Sequence, residues 1–480
     1  MEEQNNRKNF KNTKILATLG PATDTKEKII ELIAAGIDGV RLNFSHGKYD
    51  YYEQVFKNVN DACVALGEPI AILIDLQGPK IRIGELAEPS YLLNDDDLLE
   101  ITMQDVLGTK EKISCSYKGL AKDASVGDNI FIDDGLIKMA VTSISDDSVI
   151  CKVIEGGILK PRKGLNLPGM KLSLPSMTPK DFDDLEFALK HRADFIALSF
   201  VRQASDILHL RKHLHSLGHE KSIIAKIEKP EAVENIAEIL EAADGIMIAR
   251  GDLGVEMPPQ QVPMIQKKII EACNKAGKMV ITATQMLESM INNPVPTRAE
   301  TSDVANAVWD GTDVVMLSGE TSVGKFAVEA VEMMQSIISE TEEHLAVVKT
   351  DAIGNKTKGS ENIFDPVGRA IATMAVQVGA SAVVSITRRG NMARSLSKFR
   401  PRMRIVALSD NFELMNVLKL VWGVYPIYFN EMGDETEVIS LGLDAMRQKA
   451  LVKHGDTVIF TSGAPADQKG PDIWIRFATA

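Results

Sequence analysis

SIIAKIEKPEAVENI (residues 222–236) and GIMIARGDLGVE (residues 245–256) share one layout: a short apolar run that ends abruptly in charge, with a helical pattern behind it. The apolar runs, Ser222–Ile227 and Gly245–Ala249, read as buried strands. Lys226, Glu228 and Asp252 then stand at strand ends. In a parallel barrel the carboxyl ends of all strands open on one face, so two carboxylates and an ammonium delivered there can share a pocket. Two carboxylates with open positions suit Mg2+ or Mn2+, which prefer oxygen ligands and keep sites for water and substrate. Lys226 would neutralise charge on a transferring group. An acidic residue after a strand is, taken singly, as readily a helix cap or an ion-pair partner, so the surroundings decide.

Outward from this pair, the chain alternates strand and helix. KILATLGP (14–21), GVRLNFSHG (39–47) and IAILIDLQGPK (70–80) are three strand candidates, separated by helical stretches at 26–35 and 51–66. From about 81 to 174 the texture changes to short alternating runs broken by turn residues, NDDD at 94–97, VGD at 126–128 and DDG at 133–135. This segment reads as a small all-β insertion. Past Pro175 the rhythm returns with ADFIALSF, SIIAKIEK, GIMIARGD, KMVITATQ and DVVMLSGE. Three strands before the insertion and five after it predict an α/β fold, a (β/α)8 TIM barrel interrupted by a small all-β domain after its third strand. The barrel would take residues 1–79 and 175–345, and the β-rich lid 80–174. A polar linker at 349–366 precedes AVVSIT, RIVALS, VYPIYF, DTVIFTSG and DIWIRF, which predict a C-terminal α/β domain over 346–480.

With 480 residues, 45% of them hydrophobic, the chain can bury more than one core. Its net charge of −12 argues against a nucleic-acid scaffold, which needs clustered Lys and Arg over a face. The opening MEEQNNRKNFKNTK has no apolar core, and no uncharged run is long enough to span a bilayer, so the expectation is a cytoplasmic protein without a membrane partner. Cys63, Cys115, Cys151 and Cys273 are scattered and read as buried small apolar residues rather than a zinc or disulfide framework.

The expected strand ends present Arg41, Asn43 and Ser45; Asp75; Phe200 and Arg202; Lys226 and Glu228; Arg250, Gly251 and Asp252; Thr284; and Ser318 with Glu320. Turn formers and caps would explain Ser199 or Asn43 alone; together the set describes an anion-and-metal pocket. RLNFSHG, KIEK, IARGDLGVE, ATQMLESM, PTRAETSDVANAV and MLSGET resemble the successive motifs of the pyruvate kinase family, in family order and over essentially the whole chain. The resemblance implies transfer of the phosphoryl group of phosphoenolpyruvate to ADP, then protonation of the enolate to pyruvate, the last step of glycolysis.

By that resemblance Glu228 and Asp252 hold Mg2+, Lys226 stabilises the transferring group, and Arg41 contacts phosphate from a second side. The backbone amides of Gly251 and Asp252 receive the substrate carboxylate beside Thr284. Thr284, with waters ordered by Ser318 and Glu320, is the route for the proton. Residues matching Asn43, His46, Arg82 and Lys163 line the nucleotide side, the last from a hinged lid whose closure would keep water out; read alone, Lys163 is an ordinary surface lysine.

One departure is informative. Potassium-requiring members read D-T-K-G-P-E-I-R where this chain has Asp75-Leu76-Gln77-Gly78-Pro79-Lys80-Ile81-Arg82. Lys80 brings its own positive charge to a place where a glutamate would need a monovalent cation. The expectation is activity without added K+, despite the ligands Asn43, Ser45, Asp75 and Leu76 that would match a potassium site.

Two decoys fail on chemistry. Gly319 to Phe326 nearly spells a phosphate-binding loop, but Phe326 replaces the Ser or Thr and Glu320 opposes phosphate. Ser45-His46 with Asp75 suggests a hydrolase triad, without the nucleophile elbow. In the C-terminal domain, Thr387, Arg388, Arg389 and Asn391 lie between a strand and a helix and could receive a phosphorylated allosteric effector, which Asp467 and Asp472 would oppose if it were a bisphosphate; a turn with two solvated arginines is the plain alternative. Segment 296–308, with Thr301 or Ser302 as helix cap, resembles the stretch that packs between subunits in the family, which implies a homotetramer. The rival function is a Mg2+-dependent carbon–carbon lyase of the related enolate barrels, which would need neither the lid nor Lys226.

Overall fold

The computed structural model describes residues 10–45, 47–345, 363–430, 435–463 and 473–480. Its central feature is a closed barrel. The strands β1 (Lys14–Thr18), β2 (Gly39–Asn43) and β3 (Ala71–Asp75) come first. An insertion follows with β4 (Tyr91–Leu93), β5 (Leu98–Thr102), β6 (Lys112–Ser114), β7 (Asn129–Ile132), β8 (Ile137–Ile144), β9 (Ser148–Glu155), β10 (Gly157–Leu159) and β11 (Leu165–Asn166). The barrel resumes with β12 (Phe195–Leu198), β13 (Ser222–Ile227), β14 (Gly245–Ala249), β15 (Met279–Ala283) and β16 (Val314–Leu317). The order around it is β1-β16-β15-β14-β13-β12-β3-β2. β1, β3, β12 and β14 are buried along their whole length, which is why they are apolar between their ends, with Lys14, Thr18 and Asp75 only at the termini of β1 and β3: strands covered on both faces lose the polar alternation.

The insertion is β-rich as expected, a six-stranded sheet β11-β7-β8-β9-β5-β6 beside the small pair β10-β4. It has its own core, including Leu99, Ile101, Ile130, Met139 and Val153. A single turn of helix, Leu120–Asp123, interrupts it.

C-terminal strands β17 (Ala382–Ile386), β18 (Arg404–Ser409), β19 (Val424–Tyr428), β20 (Thr457–Gly463) and β21 (Ile473–Thr479) form one sheet in the order β19-β18-β17-β20-β21. β21 runs antiparallel to β20. The chain therefore winds one way from β17 to β19 and returns on the other side of β17. This places a topological switch point at the carboxyl ends of β17 and β20, where ligands of open α/β sheets bind.

Several details differ from the sequence reading. Thr297, not Thr301 or Ser302, caps the helix Arg298–Asp310: its hydroxyl accepts the Glu300 amide while Glu300 returns to the Thr297 amide. The S/T-x-x-E capping box is two reciprocal bonds, stronger than either single cap. The helix Phe364–Gln377 begins inside the span taken as linker; residues 346–362 lie outside the described residues. Cys63 is half-buried rather than buried.

Candidate active site

Two compact units divide the chain, one of Met1–Ile74, Ala188–Ile196 and Ile270–Ala480, the other of Asp75–Phe187 and Ala197–Ile269. The second carries the trio. Lys226 sits next to last on β13 and Glu228 just beyond its end, so the strand's period of two points them to the same side. Lys226 Nζ lies 2.8 Å from Glu228 Oε1 and 3.2 Å from Asp75 Oδ1, and donates to Ser199 Oγ at 2.8 Å. Ser199 Oγ in turn donates to the Leu76 carbonyl at 2.7 Å. All four side chains are buried. The ammonium is thus held between two carboxylates and a hydroxyl that fix its direction.

Glu228 Oε2 accepts the backbone amide of Phe200 at 2.7 Å. Phe200 has φ of 54°, the left-handed region that a bulky residue seldom enters. The strain is supported by its neighbours: a Cβ on Gly78, itself at φ 67°, would come within 2.8 Å of Phe200 Cδ2. Backbone held in a costly conformation so that one amide meets one carboxylate is typical of functional sites.

Asp252 lies in the first turn of the helix Arg250–Glu256 that follows β14 and is exposed. Burial pushes the Glu228 carboxyl above its ordinary range, and the Asp252 charge adds to that push, while Lys226 opposes it. A pair of this kind fits a hard divalent ion well: oxygen donors, one buried and one open to solvent, whose mutual repulsion a cation would relieve. Among the described residues no group of three His, Cys, Asp or Glu side chains gathers as a metal set. The cleft at this site is lined by Lys80, Asn166, Phe200, Glu228, Asp252 and Glu256 among others.

In the same unit Lys80 is exposed, with no carboxylate of the described residues at ion-pair distance. Arg82 is half-buried and donates to the Arg162 carbonyl at 3.0 Å, and Lys163 pairs with Asp133 at 2.9 Å. Lys163 is therefore an anchored lysine of the insertion rather than a freely solvated one. Gly251 opens the same helix as Asp252.

Arg202, whose guanidinium donates to the Leu172 carbonyl at 2.7 Å, Arg250 and Leu76 are also in the second unit, and the first unit holds Arg41, Asn43, Ser45, Thr284, Ser318 and Glu320. Arg41 Nη1 donates to Thr18 Oγ1 at 3.1 Å. Asn43 Oδ1 accepts the Ser45 amide at 3.2 Å. His46 lies outside the described residues. Thr284 has φ of 68°, a strained value for a β-branched residue, and its hydroxyl donates to the Ala283 carbonyl at 2.6 Å. Glu320 is fully buried, and its two oxygens accept the amides of Leu287 at 3.0 Å and Ser318 at 2.7 Å. Ser318 Oγ is buried with no hydrogen-bond partner among the described residues. The near P-loop is the short helix Gly319–Ser322, whose Glu320 side chain folds onto backbone amides.

At the switch point of the C-terminal sheet, the Thr387 hydroxyl accepts the Gly390 amide at 2.8 Å, with Gly390 at φ 78°. Arg388 and Arg389 are exposed, and Arg388 Nε lies 3.5 Å from Asp410. Asn391 opens the helix Asn391–Lys398. Asp467 and Asp472 lie outside the described residues.

Sequence reasoning missed Ser199 as a ligand of Lys226, and Lys229, Glu256 and Asn166 entirely. Lys229 and Glu256 form a buried pair at 2.6 Å. Lys229 follows Glu228 and Glu256 comes one helical turn after Asp252, but that spacing alone does not mark them as a pair.

The chain matches the family models "Pyruvate kinase, barrel domain" over residues 10–331 and "Pyruvate kinase, alpha/beta domain" over 365–472. It is 45% identical over 463 residues to pyruvate kinase of Geobacillus stearothermophilus, covering 95% of this chain and 78% of that one. It is 44% identical over 459 residues to that of Bacillus licheniformis, with coverage of 95% and 78%. A crystal structure of a pyruvate kinase from Cryptosporidium parvum superposes with a TM-score of 0.91 at 36% identity, covering 99% of this chain and 97% of that one.

Proposed function

This chain belongs to the pyruvate kinase family, and from that premise we propose how its residues divide the work of moving a phosphoryl group from phosphoenolpyruvate to ADP, giving pyruvate and ATP. Family membership decides against the carbon–carbon lyase. The observation that carries the assignment of roles is Lys226, held among Asp75, Ser199 and Glu228, the last of which lines the cleft.

Phosphoryl transfer needs alignment and positive charge more than covalent help. Lys226 would sit against the oxygens of the transferring group, oriented in advance by three buried partners and so costing no reorganisation when charge develops. Glu228 and Asp252 would hold the divalent ion, Mg2+ or Mn2+. When bound, that ion supplies neutralisation of the phosphoryl and enolate oxygens. Arg41 would contact the phosphate. The amides of Gly251 and Asp252 would take the substrate carboxylate at the opening of their helix, with Thr284 beside it. Thr284 would pass the proton to the methylene carbon, and Glu320, pinned by two amides, would fix the loop that carries Ser318. Asn43, His46, Arg82 and Lys163 would line the nucleotide side. Lys80 would stand in for the monovalent cation otherwise expected at Asn43, Ser45, Asp75 and Leu76, so that K+ is not required.

We further divide the chain into a barrel domain, 1–79 and 175–345, a lid, 80–174, and a C-terminal regulatory domain, 346–480. Thr387, Arg388, Arg389 and Asn391 would receive a phosphorylated effector at the switch point, in a homotetramer of the cytoplasm. Among the described residues no helix is long and apolar enough to cross a membrane. An assay of phosphoenolpyruvate with Mg2+, with and without ADP, tests the reading. Pyruvate and ATP should appear in equal amounts and only with ADP; turnover that depends on an added aldehyde instead would overturn it.

A further inference from the structure

Glu256 closes the helix whose first turn carries Asp252, four positions earlier and so on the same helical face. Lys229 directly follows Glu228. These two residues, one next to Glu228 and one a helical turn beyond Asp252, meet in a buried ion pair, Lys229 Nζ to Glu256 Oε1 at 2.6 Å. The same Oε1 also accepts from Asn166 Nδ2 at 3.1 Å, across 90 positions of sequence. Asn166 belongs to β11, in the sheet of the β insertion, where it is paired with Phe131 of β7. Glu256 Oε2 is buried with no hydrogen-bond partner among the described residues. Asn166 and Glu256 both line the cleft that holds Glu228 and Asp252.

We propose that Glu256 is a positioning residue that latches the β insertion, through Asn166, over the carboxylates of the phosphoryl-transfer site. The proposal rests on the reading of this site given above. Lys229 neutralises Glu256 and fixes its carboxylate, so the acceptor for Asn166 is held in place independently of the insertion. The Asn166 amide then makes a charge-assisted bond, about twice as strong as a neutral one, at a part-buried position of the cleft wall. Because the latch is built on the residues next to Glu228 and one turn after Asp252, lid position and carboxylate position are set by the same two elements. The chemical consequence is a choice of acceptor. With the lid seated, the phosphoryl group moves to the terminal phosphate oxygen of ADP. With it displaced, water can enter, and the group moves to a water oxygen, leaving pyruvate and inorganic phosphate.

Three proteins decide it, each full-length with Mg2+ bound and assayed for pyruvate, ATP and inorganic phosphate: the wild type, Asn166→Ala and Asn166→Asp. Asparagine and aspartate have nearly the same shape, so a space-filling role at Asn166 predicts that Asn166→Asp resembles the wild type. The latch predicts the opposite order, because a second carboxylate facing Glu256 repels it. Asn166→Ala should raise the ratio of inorganic phosphate to ATP, and KM for ADP, on the order of tenfold. Asn166→Asp should raise both further. A third substitution, Asn166→Gln, keeps the donor and should move both values back toward the wild type. Should Asn166→Asp not fold, the same ranking of Asn166→Ala against Asn166→Gln carries the test. Unchanged ratios in every variant, or an Asn166→Asp protein that behaves as wild type, would overturn the latch while leaving the kinase reading intact. A wild type that forms no ATP would overturn the kinase reading itself.

Discussion

Lys226 Nζ rests 2.8 Å from Glu228 Oε1, two residues further along the same chain, and this contact ties the group that would meet the phosphoryl oxygens to one that would hold the metal. Neither could be moved without disturbing the other. The strand that carries them is buried from its second residue onward, so the geometry is set by the barrel rather than by a loop.

Replacement of Lys226 by Met keeps the length of the side chain and removes its charge. By the size of other single preorganised electrostatic contacts, kcat should fall about 10²–10³-fold, with a much smaller change in KM for phosphoenolpyruvate. Steady-state kinetics in saturating Mg2+ checks this; a variant of full activity would remove Lys226 from the mechanism.

The raised pKa of Glu228 gives a pH signature. A carboxyl whose folded pKa lies above its unfolded value stabilises the fold fully below the unfolded value of 4.5 and loses that contribution as pH rises through the folded value. In metal-free buffer this group therefore weakens the fold at pH 8 relative to pH 5. Mg2+ pairs with the ionised form, so its stabilising effect should grow with pH. Melting temperatures with EDTA and with Mg2+ at both pH values measure it. The Mg2+ increment should be larger at pH 8, and Glu228→Gln should lose most of it; equal increments at both pH values would count against the pair as a cation site.

Lys80 is exposed at the cleft. Activity in potassium-free, sodium-free buffer should equal that with K+ present, and Lys80→Glu should create a protein that K+ activates severalfold. Strong K+ activation of the wild type would show that the ammonium does not replace the ion.

Lys14, at the start of β1, is buried against the C-terminal sheet, donating to the Val424 carbonyl at 2.8 Å above the Tyr425 ring. Burial lowers its pKa from 10.5 to about 7, with Asp38 opposing the shift. Between those values the unfolded chain binds a proton that the folded chain does not, so this group's contribution to stability rises with pH across that window and is flat below it. Denaturant unfolding from pH 7 to pH 9 should show a steeper rise for the wild type than for Lys14→Met. Parallel curves would mean that Lys14 stays charged in the fold.

The barrel was legible because its strands, buried on both faces, are compact apolar runs punctuated by charge. Ser222–Ile227 and Gly245–Ala249 are strands with the bounds their composition suggests. The β character of the insertion was legible from its turn residues. Long-range partners were not. Nothing in the spacing of Asn166 and Glu256 reports that they touch, and Lys229 and Glu256 look like any surface charges beside a helix until their burial is known. The left-handed backbone of Phe200 and Thr284 was invisible because neither residue type favours it; tertiary packing imposes it. The cap at Thr297 was within reach, since Glu300 stands three residues on.

The most direct test of the account is the location of Mn2+ in crystals of this protein, read from its anomalous signal. One ion should lie between the carboxylates of Glu228 and Asp252, within reach of a phosphoryl group that Lys226 also touches, and should be lost in Glu228→Gln. An ion bound elsewhere, or one that persists unchanged in Glu228→Gln, would contradict it.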